Sequence, residues 1–409
     1  MRASLLAPVL LLATVLLSWA AEPSSGTLAF ESKQIDGGLD IGYAVLLVDI
    51  NRDGKTDIVV VDTHRVIWYE NPSWKQRTIL AGQTERDNVC ITAADIDGDG
   101  KIDLALGAGW RPFNTRSGGT LQWLQQPDSL EQPWKLYPIG EEPTLHRIRF
   151  ADLDGTGKPV LLVAPLMGRN STREQNWMDG LPVRLLAYRI PKDPKRDRWT
   201  PEVLDESLHV MHNFHPIPAR SGKGMDVLTA SYEGVHRIHR HDGRWGREQL
   251  GTGNQATPKS NRGASEIKLG KLASGTEFIA TIEPWHGQQV VVYTPPQKAG
   301  DLWQRQVLDE QLRWGHAVWC ADLDGDGSDE LIIGVRDDLS KQPGQRRGVR
   351  IYKALDGTGH KWSRQLLDEG GVAVEDLACA DLDGDGKIDI VAVGRQTKNV
   401  RIYRNLGKK

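Results

Sequence analysis

Residues 381–389 read Asp381-Leu382-Asp383-Gly384-Asp385-Gly386-Lys387-Ile388-Asp389 and run straight into the apolar stretch Ile390-Val391-Ala392-Val393. Carboxylates stand at positions 1, 3, 5 and 9, and a glycine follows position 5, where the chain must turn sharply. The pattern recurs at Asp49 (DINRDGKTD), Asp95 (DIDGDGKID) and Asp322 (DLDGDGSDE), and in degraded form at Asp152 (DLDGTGKPV). Each copy lies between two short strand-like runs.

Two further signals share this spacing. A tryptophan with an aliphatic residue five positions on appears at Trp74/Ile79, Trp134/Ile139, Trp199/Leu204, Trp245/Leu250, Trp303/Leu308 and Trp362/Leu367. An alternating apolar run precedes each pair and occurs once more at the end: 66–69, 121–124, 185–188, 235–238, 290–293, 349–352 and 400–403. Seven units of about 55 residues, each reading strand, acidic turn, strand, loop, strand, turn, strand, predict an all-β, seven-bladed β-propeller with four antiparallel strands per blade. The last unit lacks its fourth strand, and Phe30 with Ile35 supplies the missing spacing near the N-terminus. The N-terminal strand is therefore expected to close the last blade and leave no open sheet edge.

Composition fits this reading. The 409 residues include 43 glycines and 14 tryptophans but only 5 phenylalanines, as in a turn-rich β protein with a recurring tryptophan. A net charge of -3 gives no support for a nucleic-acid partner, and three cysteines exclude a disulfide framework. Cys90, Cys320 and Cys379 fall in strands expected at the centre of the fold and read as small buried apolar residues. Arg2, the apolar stretch 5–17 and Ser18-Trp19-Ala20 have the three parts of a secretory signal peptide, cut after Ala20. The expectation is a leader at 1–20, a propeller over 21–409 without a membrane span, and a secreted or periplasmic protein.

The acidic loops have the chemistry of a Ca²⁺ site. Oxygen donors stand at Asp49, Asn51, Asp53 and Asp57; at Asp95, Asp97, Asp99 and Asp103; at Asp322, Asp324, Asp326 and Glu330; and at Asp381, Asp383, Asp385 and Asp389. Such a density of hard ligands suits calcium. An EF-hand is excluded, because position 12 is Val60, Leu106, Ile333 or Ala392 where a glutamate is needed. Clustered carboxylates repel one another, so the expected role of calcium is to pin the inner hairpins. Units four and five have lost the motif. These repeats resemble the FG-GAP/VCBS repeats of integrin-type seven-bladed propellers, a resemblance that implies fold and calcium but not activity.

Within a blade the first strand ends in the acidic loop, so its start lies on the opposite face. Stepping back six residues from position 1 gives a ring at that face: Tyr43, Val89, His146, His212, Ser265, His316 and Glu375. The next position adds Arg147, Asn213, Glu266 and Asp376. The loops after the second strands bring Trp110, Trp285, His286, Arg336 and Arg395 to the same face. Three readings of the ring stay open. It is a solvated polar channel; or an acid/base site, with His146, His212 or His316 taking a proton and Glu375 orienting the imidazole; or a Zn²⁺ or Mn²⁺ site of His146, His212 and His316 with Glu266 or Glu375. The remaining blade-four histidines, 209, 215, 236, 239 and 241, read mostly as surface residues.

The segments 314–327 (WGHAVWCADLDGDG) and 282–293 (IEPWHGQQVVVY) resemble the propeller domain of aldos-2-ulose dehydratases, lyases that eliminate water from a keto-sugar such as anhydrofructose. The resemblance implies that His316 and His286 belong to a sugar site working by abstraction of an acidic α-proton. Those enzymes carry cupin domains after the propeller, whereas this sequence ends with the seventh unit. The preferred expectation is an exported propeller whose loop-rich face binds a carbohydrate and acts on it, with Trp110, Trp285 and Trp314 stacking on sugar rings and Arg336 and Arg395 holding polar groups. The alternative is a non-catalytic module that binds a carbohydrate or an extracellular protein on the same face.

Overall fold

A computed structural model describes residues 26–336 and 346–409. The expected leader at 1–20 lies outside the described residues, as does part of the insert 336–348. Twenty-eight strands form seven four-stranded antiparallel sheets, and there is no helix among the described residues. Six blades are continuous in sequence, at 44–81, 90–141, 145–208, 213–251, 267–309 and 315–369. Blade seven takes three strands from 374–408 and its outer strand from Leu28–Asp36. That strand runs antiparallel to Val400–Lys408, with Leu28 opposite Lys408, Ser32 opposite Tyr403 and Asp36 opposite Val400.

Burial explains why each strand has its composition. The second strand of a blade is covered on both faces by its neighbours, so Asp57–Val61 (DIVVV) is buried at every residue, as is Asp389–Gly394 (DIVAVG). β-Branched residues suit such a two-sided pleated surface. The outer strands are largely wet, as in Lys75–Ala81, where Ile79 and Leu80 turn inward. The paired tryptophans mark the turn into these outer strands: Trp74, Trp134 and Trp303 sit just before them, and Trp362 is the first residue of its own.

Position 9 of the acidic loops does more than the sequence indicates. Asp57 is fully buried and accepts the backbone N–H groups of Ile50 (3.0 Å) and Asn71 (2.8 Å). Asp103 accepts Ile96 (3.0 Å) and Gln126 (2.9 Å), and Asp389 accepts Leu382 (3.1 Å) and Asn405 (2.8 Å). The carboxamide held in this way donates to the loop of the preceding blade: Asn71 to the Leu382 carbonyl (2.7 Å), Gln126 to that of Ile50 (2.8 Å), and Asn405 to that of Leu323 (2.7 Å). One buried carboxylate thus ties its own hairpin together and positions a latch to the next sheet.

Candidate functional site

The inner strands of blades three, four and six begin at a common level, and their first side chains converge. His146, His212 and His316 are all buried. Their rings meet at the axis, with centroids 4.6 Å apart for His146 and His212 and 5.2 Å for His212 and His316. His286 reaches the same point from the loop after Glu277–Glu283, held at a left-handed φ of 50°. Its centroid is 4.6 Å from His212 and 4.9 Å from His316. Trp110 packs on His146 at 4.9 Å and Trp285 on His286 at 4.7 Å.

The ring nitrogens have assigned directions. His316 Nδ1 faces the backbone carbonyl of Glu375 at 2.6 Å, and His146 Nδ1 faces that of His212 at 2.9 Å. Each Nδ1–H donates to its carbonyl, which leaves Nε2 with its lone pair. His212 Nδ1 lies 2.8 Å from Glu266 Oε1, off the line of a hydrogen bond, and its Nε2 is 2.7 Å from His286 Nε2. His212, His286 and His316 each offer a nitrogen within 4.8 Å of the others. His286, rather than His146, therefore completes the three-nitrogen group. Glu266, rather than Glu375, is the carboxylate at an imidazole Nδ1. The Glu375 carboxylate is 3.9 Å from His316 Nε2 and is gripped by Arg336 (3.2 Å) and Arg395 (2.9 Å).

Burial drives the pKa of all four histidines well below the usual imidazole value, and the Arg147 and Arg336 guanidinium groups push the same way. They are neutral at pH 7, the state that binds a metal or accepts a proton. Three imidazoles, His316 with a carbonyl accepting its Nδ1–H and His212 with a carboxylate beside its Nδ1, match the donor set of a Zn²⁺-type centre and part of its outer shell. Trp314 stands apart from this cluster, 51% exposed at the rim, and its carbonyl accepts the Arg336 N–H at 3.0 Å.

Several other placements differ from expectation. In blade four, His236 is buried, His215 lines the channel, and His209 pairs with Glu233 at 2.8 Å, so only His241 is fully exposed. The cysteines do sit on inner strands, but Cys320 and Cys379 are only half-buried. Burial pushes the Cys90 thiol up to about 12, and Cys320 and Cys379 also upward, which keeps them protonated.

On the opposite face the acidic loops adopt one geometry. The position-1 carboxylate accepts the loop N–H groups: Asp381 takes those of Gly384 (2.8 Å) and Gly386 (2.9 Å), and Asp322 those of Gly325 (2.8 Å) and Gly327 (2.9 Å). Carboxylate oxygens lie within 4.8 Å of one another in the groups Asp95/Asp97/Asp99, Asp322/Asp324/Glu330 and Asp381/Asp383/Asp385. Glu330 Oε1 is buried with no hydrogen-bond partner, an orphaned acceptor that fits a cation, with the Lys353 ammonium 4.0 Å away. Lysines also approach the loops, Lys195 to Asp97 at 2.8 Å and Lys353 to Asp326 at 2.8 Å.

The fold and these loops define a seven-bladed propeller carrying FG-GAP-like repeats, and the family model for that repeat matches residues 49–106 and 322–392. Residues 118–296 match the model of the aldos-2-ulose dehydratase β-propeller domain. The aldos-2-ulose dehydratase of Phanerodontia chrysosporium is 27% identical over 300 residues, an alignment that takes in 68% of this chain and 32% of that protein. The chain thus spans about a third of the length of this curated relative. Among solved structures, BBS1N in complex with ARL6DN covers 92% of the chain at 13% identity with a TM-score of 0.55. An Agrocybe aegerita lectin that recognises non-reducing terminal N-acetylglucosamine covers 81% at 14% identity with a TM-score of 0.50. At these identities the two structures show the fold alone.

Proposed function

We propose that this protein is an exported, calcium-stabilised propeller whose histidine funnel is a carbohydrate-directed metal centre that eliminates water from a keto-sugar. The observation that carries the reading is the convergence of His212, His286 and His316 from three blades, with nitrogens within 4.8 Å of one another. These three would hold a Zn²⁺- or Mn²⁺-type ion, and such an ion supplies a Lewis acid that polarises a carbonyl oxygen. The likeness to aldos-2-ulose dehydratase supports a keto-sugar as the substrate class.

The protein's own side chains divide the remaining work. His146 is the base: its Nδ1–H is committed to the His212 carbonyl, so its Nε2 takes the proton α to the carbonyl. The proton on His146 Nε2 then passes to the β-hydroxyl, which departs as water, so the net change is loss of one water and gain of one carbon–carbon double bond. Trp110 and Trp285 wall the site and offer flat faces to a sugar ring. Arg336 and Arg395, on the Glu375 carboxylate, set a positive field at the rim where oxygen charge develops.

Element analysis of the purified protein, together with turnover of anhydrofructose followed by the ultraviolet absorbance of the enone product, tests this. Zn²⁺ or Mn²⁺ should copurify at about one per chain, on the stoichiometry of a single three-histidine site. His286→Ala and His316→Ala should lose both metal and turnover while keeping the wild-type Ca²⁺ content and far-ultraviolet circular dichroism. His146→Gln should keep the metal and lower kcat by roughly 10²–10⁴-fold. Wild-type protein free of transition metal, or an inert wild type that binds sugars, would leave a recognition module in place of the enzyme.

A further inference from the structure

Below the histidines the channel widens into a cavity of about 530 Å³, bounded by inner strands and reaching Thr56, Met225 and Ala380 beside the acidic loops. It is not used by the chemistry above. Its walls carry three basic side chains, Arg147, Arg149 and Lys268, against two acids, Glu266 and Asp376. The acids already have partners. Asp376 accepts the backbone N–H groups of Val45 (3.1 Å) and Leu377 (3.0 Å). Glu266 is engaged by Asn213, by Arg147 at 3.6 Å and by His212 at 2.8 Å.

Arg149, Lys268 and His215 are left over, and they come from the same rung of blades three, five and four, three residues before the position equivalent to the start of the acidic loop. Arg149 Nη1 and His215 Nδ1 are buried with no hydrogen-bond partner. The Arg149 guanidinium lies 5.1 Å from the Phe214 ring, and the Lys268 ammonium lies 4.2 Å from the Trp319 ring, so each cation is backed by an aromatic face. All three side chains line this one cavity. Burial and then Arg149 lower Lys268 to about 7; burial and then Arg147 lower Arg149 to about 10; burial, Lys268 and Arg149 hold His215 neutral. Asp376 and Glu266 offset these charges only in part, three bases standing against two acids, and the cost of the surplus buried charge falls when an anion joins it.

We propose that Arg149, Lys268 and His215 form a second site in the channel, distinct from the histidine funnel, that binds a small oxyanion: phosphate, sulfate or a carboxylate. The donor set is that of an anion cradle, with a planar guanidinium, a point-charge ammonium and an imidazole lining one polar cavity. A second cation site is excluded by the sign of the surplus charge.

Thermal melts and titration calorimetry on the whole protein, with sulfate, phosphate or acetate exchanged for chloride at constant ionic strength, decide it. Sulfate and phosphate should raise the Tm of the wild type by a few degrees over chloride; a larger effect of acetate would mark the carboxylate as the ligand. The increment should vanish in Lys268→Met and in Arg149→Met, which by themselves melt no lower than wild type in chloride because each removes the surplus buried charge of the cavity. His316→Ala should keep the full increment. No increment in the wild type, or one that survives both channel variants, overturns the proposal. If either variant fails to fold, Arg149→Lys serves instead: it keeps the charge but loses the fork, and should weaken calorimetric binding at least tenfold.

Discussion

At the scale of single residues, the recurring theme is the buried polar group that is held neutral or held by backbone. His236 is an instance that the sequence conceals. It stands in the third strand of blade four, Gly234–His241, with 2% of its surface exposed and its Nδ1 without a partner. Burial, and then the Arg247 charge, lower its pKa from 6.5 to about 4. The unfolded chain binds this proton first as pH falls, so the stability contributed by neutral His236 is intact above pH 6.5 and is lost progressively down to about pH 4. At 1.36 kcal/mol per tenfold change, the loss approaches about 3 kcal/mol. In urea melts the stability difference between wild type and His236→Gln should therefore be constant above pH 6.5 and shift against the wild type by about 3 kcal/mol toward pH 4. Parallel pH profiles would show that His236 does not titrate with unfolding.

At the scale of the element, the decisive piece is the strand Leu28–Asp36, which belongs to blade seven although it is coded first. Without it, Val400–Lys408 would be an unpaired edge, and Tyr403, buried beneath the seam with its hydroxyl on Asp368 (2.8 Å), would be opened to water. Deleting residues 28–36 should lower the Tm by more than 10 °C, a rough figure for losing several kcal/mol from a propeller of this size, and should produce self-association visible by light scattering. A monomeric deletion variant with the wild-type Tm would show that the seam is dispensable. This strand was legible in the sequence because Phe30 and Ile35 repeat the outer-strand spacing. The funnel was legible for a related reason: blades share a register, so counting back six residues from each acidic loop lands on equivalent side chains. His286 escapes such counting, since it sits on a loop whose left-handed turn and approach to the axis follow no period. Arg149, His215 and Lys268 do obey it, three residues back from the loop, and could have been found by the same count. The Asn71, Gln126 and Asn405 latches have no motif of their own and emerge only when adjacent sheets are stacked.

At the scale of the whole ring, the blades divide into two sets. The FG-GAP-like matches fall on blades one, two, six and seven, which keep the acidic loops, while the dehydratase-propeller match runs from the second half of blade two through blades three and four into blade five. Those middle blades, with degraded or missing loops, supply His146, His212, His286 and every basic residue of the channel cavity. The acidic loops and most of the basic and imidazole groups of the channel thus lie on different arcs of one circle, with His316 of blade six and Glu375 of blade seven completing the funnel from the other arc. In a closed ring the two arcs still share a fate, because every blade packs on its neighbours and the latches of Asn71, Gln126 and Asn405 run from one acidic loop to the next. Calcium at four loops would favour only the folded ring, each site adding about 2.7 kcal/mol when the ion is at about 100 times its dissociation constant. Chelation should therefore lower the Tm of the entire molecule in one cooperative transition, and Ca²⁺ rather than Zn²⁺ should restore it. Asp381→Ala, which removes one position-1 carboxylate, should reproduce about a quarter of the drop, on the assumption that the four sites contribute independently. Differential scanning calorimetry with and without chelator reads both effects, and a Tm indifferent to chelation would mean that the loops hold their shape through their own hydrogen bonds and neighbouring lysines alone.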